Sequence, residues 1–271
     1  NVGTAKTVAL TNTLGGTDLG NYTVTDQATT TADITDRLTG KYKAAAKLKS
    51  GEIKVYDTLA DHRALICAQV SFGAMMTDLA LHFGLKPDAA IGYSLGESTA
   101  LFALRAWRQR DDMLDRLSRS SLFARDLAGD PDILRAAWNL LADQPAEWVA
   151  GVVDRSAAAA RAAIGASRQA YVLIANTQDE CVIGGNRIEV ERIVSALGCH
   201  WFALKGVSTV HCELAHPVRT AYRELHLFDT TPPAGVEFYS CGLGRAYVPD
   251  RESAADAIEA QAMDGKIGRA H

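Results

Sequence analysis

The chain is short of the features that mark a membrane, nucleic-acid or disulfide-bonded protein. No apolar run approaches the roughly 20 residues needed to span a bilayer, so no membrane partner is expected. No charged-then-apolar leader opens the sequence either. Positive charge is not in excess: Lys and Arg number 28 against 32 Asp and Glu, a net charge of −4, which gives no electrostatic basis for holding nucleic acid. Cysteine is sparse and unpaired in pattern. The five (Cys67, Cys181, Cys199, Cys212, Cys241) are odd in number, widely spaced and without a Cys-x-x-Cys pair. They read as buried thiols of a reducing, cytoplasmic compartment rather than a disulfide frame or a zinc site. Internal repeats and low-complexity tracts are absent too. What is present is ordinary for a globular protein, 48% hydrophobic and 22% charged over 271 residues, enough for one large domain or two modest ones.

The composition shifts along the chain. Residues 1–40 are rich in Thr, Gly, Asn and Asp, with alternating runs at Thr7–Leu10 and Tyr22–Thr25, which is strand-and-turn composition. From Lys41 the style turns to Ala, Leu and Arg at helical spacing; Gly51–Asp57 is a strand or a linker. Residues 61–84 read as one helix, apolar nearly all round (Leu65, Ile66, Val70, Phe72, Met75, Met76, Leu79, Leu81) and therefore expected to be buried. Gly84 stops it and Pro87 follows. A strand is expected at 88–93, a helix at 95–106 and further helices at 111–128 and 132–142. From Glu147 the order is strand (148–153), helix (155–164), strand (171–175), strand (181–183), helix (187–197), strand (200–204). That β-α-β-β-α-β succession is the ferredoxin-like pattern.

The chemistry-bearing stretch is Gly92-Tyr93-Ser94-Leu95-Gly96-Glu97, after the apolar run Ala89-Ala90-Ile91. Gly-x-Ser-x-Gly between a strand and a helix is a nucleophile elbow, with the serine on a sharp turn. The helix beginning after Ser94 offers free N–H groups and a positive dipole end to a developing oxyanion, so Leu95 N–H is an expected donor; no second donor is identified. Taken alone, the motif also fits a small residue in a tight turn. A nucleophilic serine needs a base. The chain offers His62, His82, His200, His211, His216, His226 and His271; the resemblance described below favours His211, with His216 its rival, and leaves His62, His82, His200 and His226 as surface or core histidines. Glu97 braces the turn and favours the helix dipole. Gln69, Met75 and Asn176 border the pocket or simply pack in the core.

In motif and order the chain resembles the malonyl-CoA:acyl-carrier-protein acyltransferases, including the acyltransferase domains of polyketide and polyunsaturated-fatty-acid synthases, over roughly residues 55–262. The resemblance rests on Gly92–Glu97 against a usual G-H-S-L-G-E, with Tyr93 in place of the histidine. It rests also on Arg119, 25 residues past Ser94, on Val172–Asn176 and Cys181–Gly185, and on Val207-Ser208-Thr209-Val210-His211. Val236–Ser240, Gly244 and a helix reaching Gln261 follow the same course. The family's opening strand ends in G-Q-G; residues 8–16 carry no glutamine. Leu14–Thr25 and Ala28–Thr35 instead resemble a repeat of haemagglutinin-like adhesins, and residues 265–271 (GKIGRAH) resemble nothing identified.

The resemblance implies an α/β fold with a largely parallel sheet flanked by helices and an inserted ferredoxin-like subdomain. The expected organisation is an adhesin-repeat-like or replaced segment at 1–40, a large subdomain at 41–146 and 207–262, the insert at 147–206 and a tail at 263–271. It implies acyl transfer from malonyl-CoA or a related acyl-CoA, through an acyl-Ser94, to the phosphopantetheine thiol of an acyl carrier protein. His211 would be the base, and Arg119 would hold the acyl carboxylate by a bidentate pair. Tyr93 and Leu95 would line the acyl site. No tightly bound cofactor or metal is expected; the partners are the carrier protein, the acyl-CoA and neighbouring domains of a synthase. Two other readings stay open: a serine hydrolase, which would need an acidic triad member, and a truncated, inactive fragment.

Overall fold

The computed structural model describes residues 3–9, 29–34, 62–128, 132–141, 143–144 and 146–264. Gly51–Asp57 and the predicted strand at Tyr22–Thr25 lie outside them. The chain forms two compact units, Asn1–Lys54 and Val55–His271. In the first, β1 (Gly3–Ala9) and β2 (Thr29–Ile34) pair antiparallel, Thr7 opposite Thr31 and Ala9 opposite Thr29. Both are rich in threonine, whose branched Cβ suits a pleated strand.

In the second unit the first described element is α1 (His62–His82), followed by β3 (Ala89–Ile91) and α2 (Leu95–Ala103). β3 pairs in parallel with β8 (Glu237–Ser240), Ala89 opposite Glu237 and Ile91 opposite Tyr239, and β8 pairs antiparallel with β9 (Arg245–Tyr247). Among the described residues this is the parallel part of the sheet. α1 lies against α2, and the two backbones come close at Gly73: a Cβ there would stand 2.3 Å from Thr99 Cγ2.

The predicted helices at 111–128 and 132–142 are shorter than their sequence patterns. They are α3 (Arg110–Arg119), a single π-helical turn over Leu122–Asp126, and α4 (Asp132–Trp138). Behind α2, Phe102 meets both Trp107 and Phe228 edge to face, and the Arg116 guanidinium lies 4.2 Å from the Phe228 ring centre. Arg116 Nη1 also donates to Leu227 O at 2.9 Å, which pins the loop after α7 (Arg219–Leu225).

Between these parts lie β4 (Trp148–Val153), α5 (Ala157–Ile164), β5 (Ala170–Ala175), β6 (Cys181–Asn186), α6 (Arg187–Leu197) and β7 (Trp201–Leu204). The strands form one antiparallel sheet ordered β5-β6-β4-β7. Alternation divides its two faces. Val153, Cys181 and Ile183 pack with Val190 and Ile193 of α6, whereas Tyr171, Leu173 and Val182 pack with Leu134, Trp138 and Leu214. An irregularity between Val172 and Ile174 breaks the alternation in β5. An added residue of this kind turns two consecutive side chains to one face, and Leu173 and Ile174 both join the second cluster. The last described element is α8 (Arg251–Met263), whose N-terminus carries a capping box of Asp250 and Ser253.

One expectation is corrected by α1. Only Ala64, Ile66, Cys67, Val70 and Ala74 of this helix are buried, while Met75, Met76, Leu79 and Leu81 are exposed and Phe72 is 61% exposed. Among the described residues, the elements packed closest on α1 are α2, α3 and the π-helical turn, and they cover one side of it. By length and composition α1 is also long and apolar enough to cross a membrane, contrary to the sequence reading; a core helix can share that composition.

The Gly73–Thr99 contact gives the first prediction. Thr99 cannot turn its methyl aside without losing the 2.9 Å bond of its hydroxyl to Leu95 O. Gly73→Ala should therefore lower stability by about 1–3 kcal/mol, measured by urea unfolding. Adding Thr99→Ser, which deletes the offending methyl and keeps the hydroxyl, should restore most of it.

Candidate active site

The turn from β3 into α2 is built for close approach. A Cβ on Gly92 would lie 2.1 Å from the backbone N of Glu97, so only glycine lets the chain fold back on the first turn of α2. Ser94, at the N-cap, has φ 52° and ψ −123°, a backbone conformation that L-residues seldom adopt. Two bonds hold the turn: Gly96 N–H to Tyr93 O at 2.8 Å and Glu97 N–H to Ser94 O at 3.1 Å. Leu95 stands at the first helical position, where its N–H has no intrahelical acceptor.

Ser94 Oγ lies 2.8 Å from His211 Nε2. The other ring nitrogen, Nδ1, lies 2.6 Å from Gln261 O. A carbonyl can only accept, so Nδ1 carries the proton and Nε2 is left to accept from the serine hydroxyl. His211 is itself at positive φ (67°), and its backbone N–H donates to Ala262 O at 2.6 Å. Gln261 is used a second time, its side-chain amide donating to Ser94 O at 3.0 Å. Gln261 and Ala262 sit in the last turn of α8, where carbonyls lack intrahelical partners and the dipole is negative. The helix end thus orients the imidazole and favours its cation. Burial works the other way and dominates, holding the His211 pKa down to about 4, so the ring is neutral at neutral pH.

Beneath the turn lies Glu97, 2% exposed. Neither carboxylate oxygen closes a full hydrogen bond, although the Ser240 hydroxyl and Cys241 N–H face it. Desolvation outweighs those two groups and pushes its pKa up to about 7. Sequence reasoning treats Glu97 as a brace for the turn; its burial is visible only in three dimensions.

A cavity of about 320 Å³ opens over Ser94 and His211. Leu95, Tyr93, Gln69, Leu173, Ile174 and Lys205 are among the residues lining it, so the break in β5 presents two apolar side chains to the site. Tyr93 bridges the cleft, its hydroxyl donating to Asn176 Oδ1 at 2.6 Å, while Asn176 Nδ2 donates to Glu180 at 2.7 Å. Arg119 is not brought in: it ends α3, is exposed and lies outside the cavity lining. Nor is His216, which lies 3.7 Å from Asp264, or Met75, which is exposed on α1. Gln261, which anchors the site, enters the sequence reading only as the end of a helix; its use depends on a long-range contact. Among the described residues no cluster of His, Cys, Asp and Glu could hold a metal ion.

No protein-family profile and no curated protein matches the chain by sequence. Its fold does match solved structures, and it is the acyltransferase fold. The acyltransferase domain from module 8 of the salinomycin polyketide synthase superposes with a TM-score of 0.61 at 16% identity, over 78% of this chain and 46% of that one. The acyltransferase domain of the polyketide synthase PpsC of Mycobacterium tuberculosis gives 0.60 at 15%, over 84% and 66%. The malonyl-CoA:ACP transacylase of Synechocystis gives 0.56 at 16%, over 81% and 68%. The chain spans about half the length of several of the polyketide-synthase structures that it matches.

The buried Glu97 carboxyl generates the second prediction. Its folded pKa lies above the ordinary 4.5. Its favourable contribution is therefore fully present below about 4.5 and is lost as pH rises through about 7. Glu97→Gln, which imitates the protonated form, should match the parent in melting temperature at pH 5. At pH 8.5 it should exceed the parent by several degrees, a gain on the order of 2–3 kcal/mol.

Proposed function

We propose that this chain is an acyltransferase in which Ser94 carries the acyl group and His211 moves the proton. Ser94 Oγ attacks the thioester carbonyl of an acyl-CoA while His211 Nε2 takes the hydroxyl proton. The oxyanion forms beside the N-terminus of α2, where the Leu95 N–H is free to donate. Collapse breaks the C–S bond, the imidazolium returns its proton to the leaving sulfur, and an acyl-Ser94 ester remains. A second thiol, the phosphopantetheine of an acyl carrier protein, reverses the steps and takes the acyl group. A malonyl-type group is the substrate class that the family resemblance suggests.

The observation that carries this reading is the Ser94–His211–Gln261 chain of two short hydrogen bonds, set in a fold matched by acyltransferases. It speaks against the hydrolase alternative, whose histidine would meet a carboxylate at Nδ1. Here a backbone carbonyl takes that place and orients the ring without adding a full charge.

The test is intact-protein mass spectrometry after mixing with malonyl-CoA. The parent should gain one malonyl group and Ser94→Ala none; His211→Gln should acylate about 10²–10⁴-fold more slowly. Absence of an adduct on folded parent protein would refute the reading. The pH profile should carry the mark of a buried base. With its pKa near 4, His211 stays in its basic form down to mildly acidic pH. The acylation rate should therefore hold between pH 8 and about 5.5 and fall only as pH approaches about 4. A fall centred near 6.5 would show a base in ordinary solvation.

A further inference from the structure

We infer that Lys205 holds the charged end of the acyl group and so sets a preference for acyl donors with a free carboxylate; the inference rests on the acyl-transfer reading. The cavity over Ser94 has a simple electrostatic make-up. Among its described lining residues Lys205 is the one lysine or arginine, and none is an aspartate or glutamate. Three histidines also line it, His62, His211 and His226; burial holds the pKa values of His211 and His226 down to about 4, so both are neutral at neutral pH. The remaining walls are largely apolar, Leu173, Ile174 and Val182 among them. Lys205 is itself solvent-exposed, at the rim of this cavity, so an anion placed there meets one permanent cation and, among the described lining residues, no repelling carboxylate, a setting for a charge-assisted bond.

Lys205 is free for that use. It has no ion-pair partner among the described residues, whereas other cations nearby are committed: Arg187, for example, pairs with Glu147 at 2.9 Å. It follows β7 directly, at the head of the segment that runs through Gly206 to His211, so one stretch of chain supplies both the base and the cation. Arg119 and Lys205 are both exposed, but Lys205 lines the cavity and Arg119, at the end of α3, does not. Lys205 also borders a second chamber of about 640 Å³, which shares His62, Leu204, Gly206 and Val207 with the first. A cation on that seam could instead meet the phosphates of the thioester carrier, and the test must separate the two anions.

Malonyl-CoA and acetyl-CoA carry the same phosphates and differ in the acyl carboxylate, so the ratio of their Ser94 acylation rates isolates it. The parent should favour malonyl-CoA. Lys205→Gln should cut that ratio about tenfold or more, Lys205→Arg should keep most of it, and Arg119→Gln should leave it within about twofold. Equal loss for both donors in Lys205→Gln would assign the lysine to the carrier phosphates and overturn the inference. So would a ratio unchanged in Lys205→Gln, a ratio collapsed in Arg119→Gln, or a parent without preference. No adduct from either donor would sink the acyl-transfer reading itself, and this inference with it.

Discussion

The last turn of α8 is the constraint on which the site depends. A helix end leaves carbonyls without partners, and here two are taken up by one histidine, at Nδ1 and at its backbone N–H. The side chain of Gln261 reaches across to the carbonyl of Ser94. Nucleophile and base come from distant parts of the chain and meet on a third element. The capping box of Asp250 and Ser253 therefore matters to the site although it lies at the other end of the helix: it holds the helix whose final turn sets the ring.

Around that turn the backbone is strained where the chemistry needs it. Ser94 and His211 both sit at positive φ without being glycine. Such conformations persist only where the surroundings over-determine them. For Ser94 those surroundings are the fold-back at Gly92, two turn bonds and the amide of Gln261. For His211 they are the two carbonyls of α8. Glu97 adds a second tension, a carboxyl buried without full hydrogen bonding under the helix that presents the serine. Burial that neutralises Glu97 also keeps His211 uncharged. The same low polarity thus prepares the base and makes the fold sensitive to pH.

The substrate side is less enclosed. The irregularity in β5 turns Leu173 and Ile174 together toward the cavity, and Tyr93 reaches Asn176 across its mouth, linking the nucleophile's turn to the antiparallel sheet. Lys205 stands between two chambers as an uncommitted cation. α1 closes one side with a few small and branched residues while much of its apolar surface faces outward.

Much of this was legible in the primary structure because it is local. Periodicity and turn residues located α6, β4 and the Gly92–Gly96 elbow, since a strand, a tight turn and a helix each leave their pattern within a few residues. His211 stood out beside Ser94 for the same reason, as part of a recognisable segment. Pattern failed where the outcome depends on what a surface meets. An all-apolar helix predicts burial, yet only its neighbours decide which faces are covered, and α1 exposes Phe72. The family resemblance put Arg119 at the acyl site, whereas in this structure it is exposed at the end of α3 and is not among the residues lining the cavity, because a helix-end side chain's surroundings follow from packing. The helix-end carbonyls that orient His211, the depressed pKa of its ring, the orphaned carboxyl of Glu97 and the place of Lys205 in the cavity lining are long-range facts. They arise because burial and hydrogen-bond partners are properties of the assembled chain, and no stretch of sequence carries them alone.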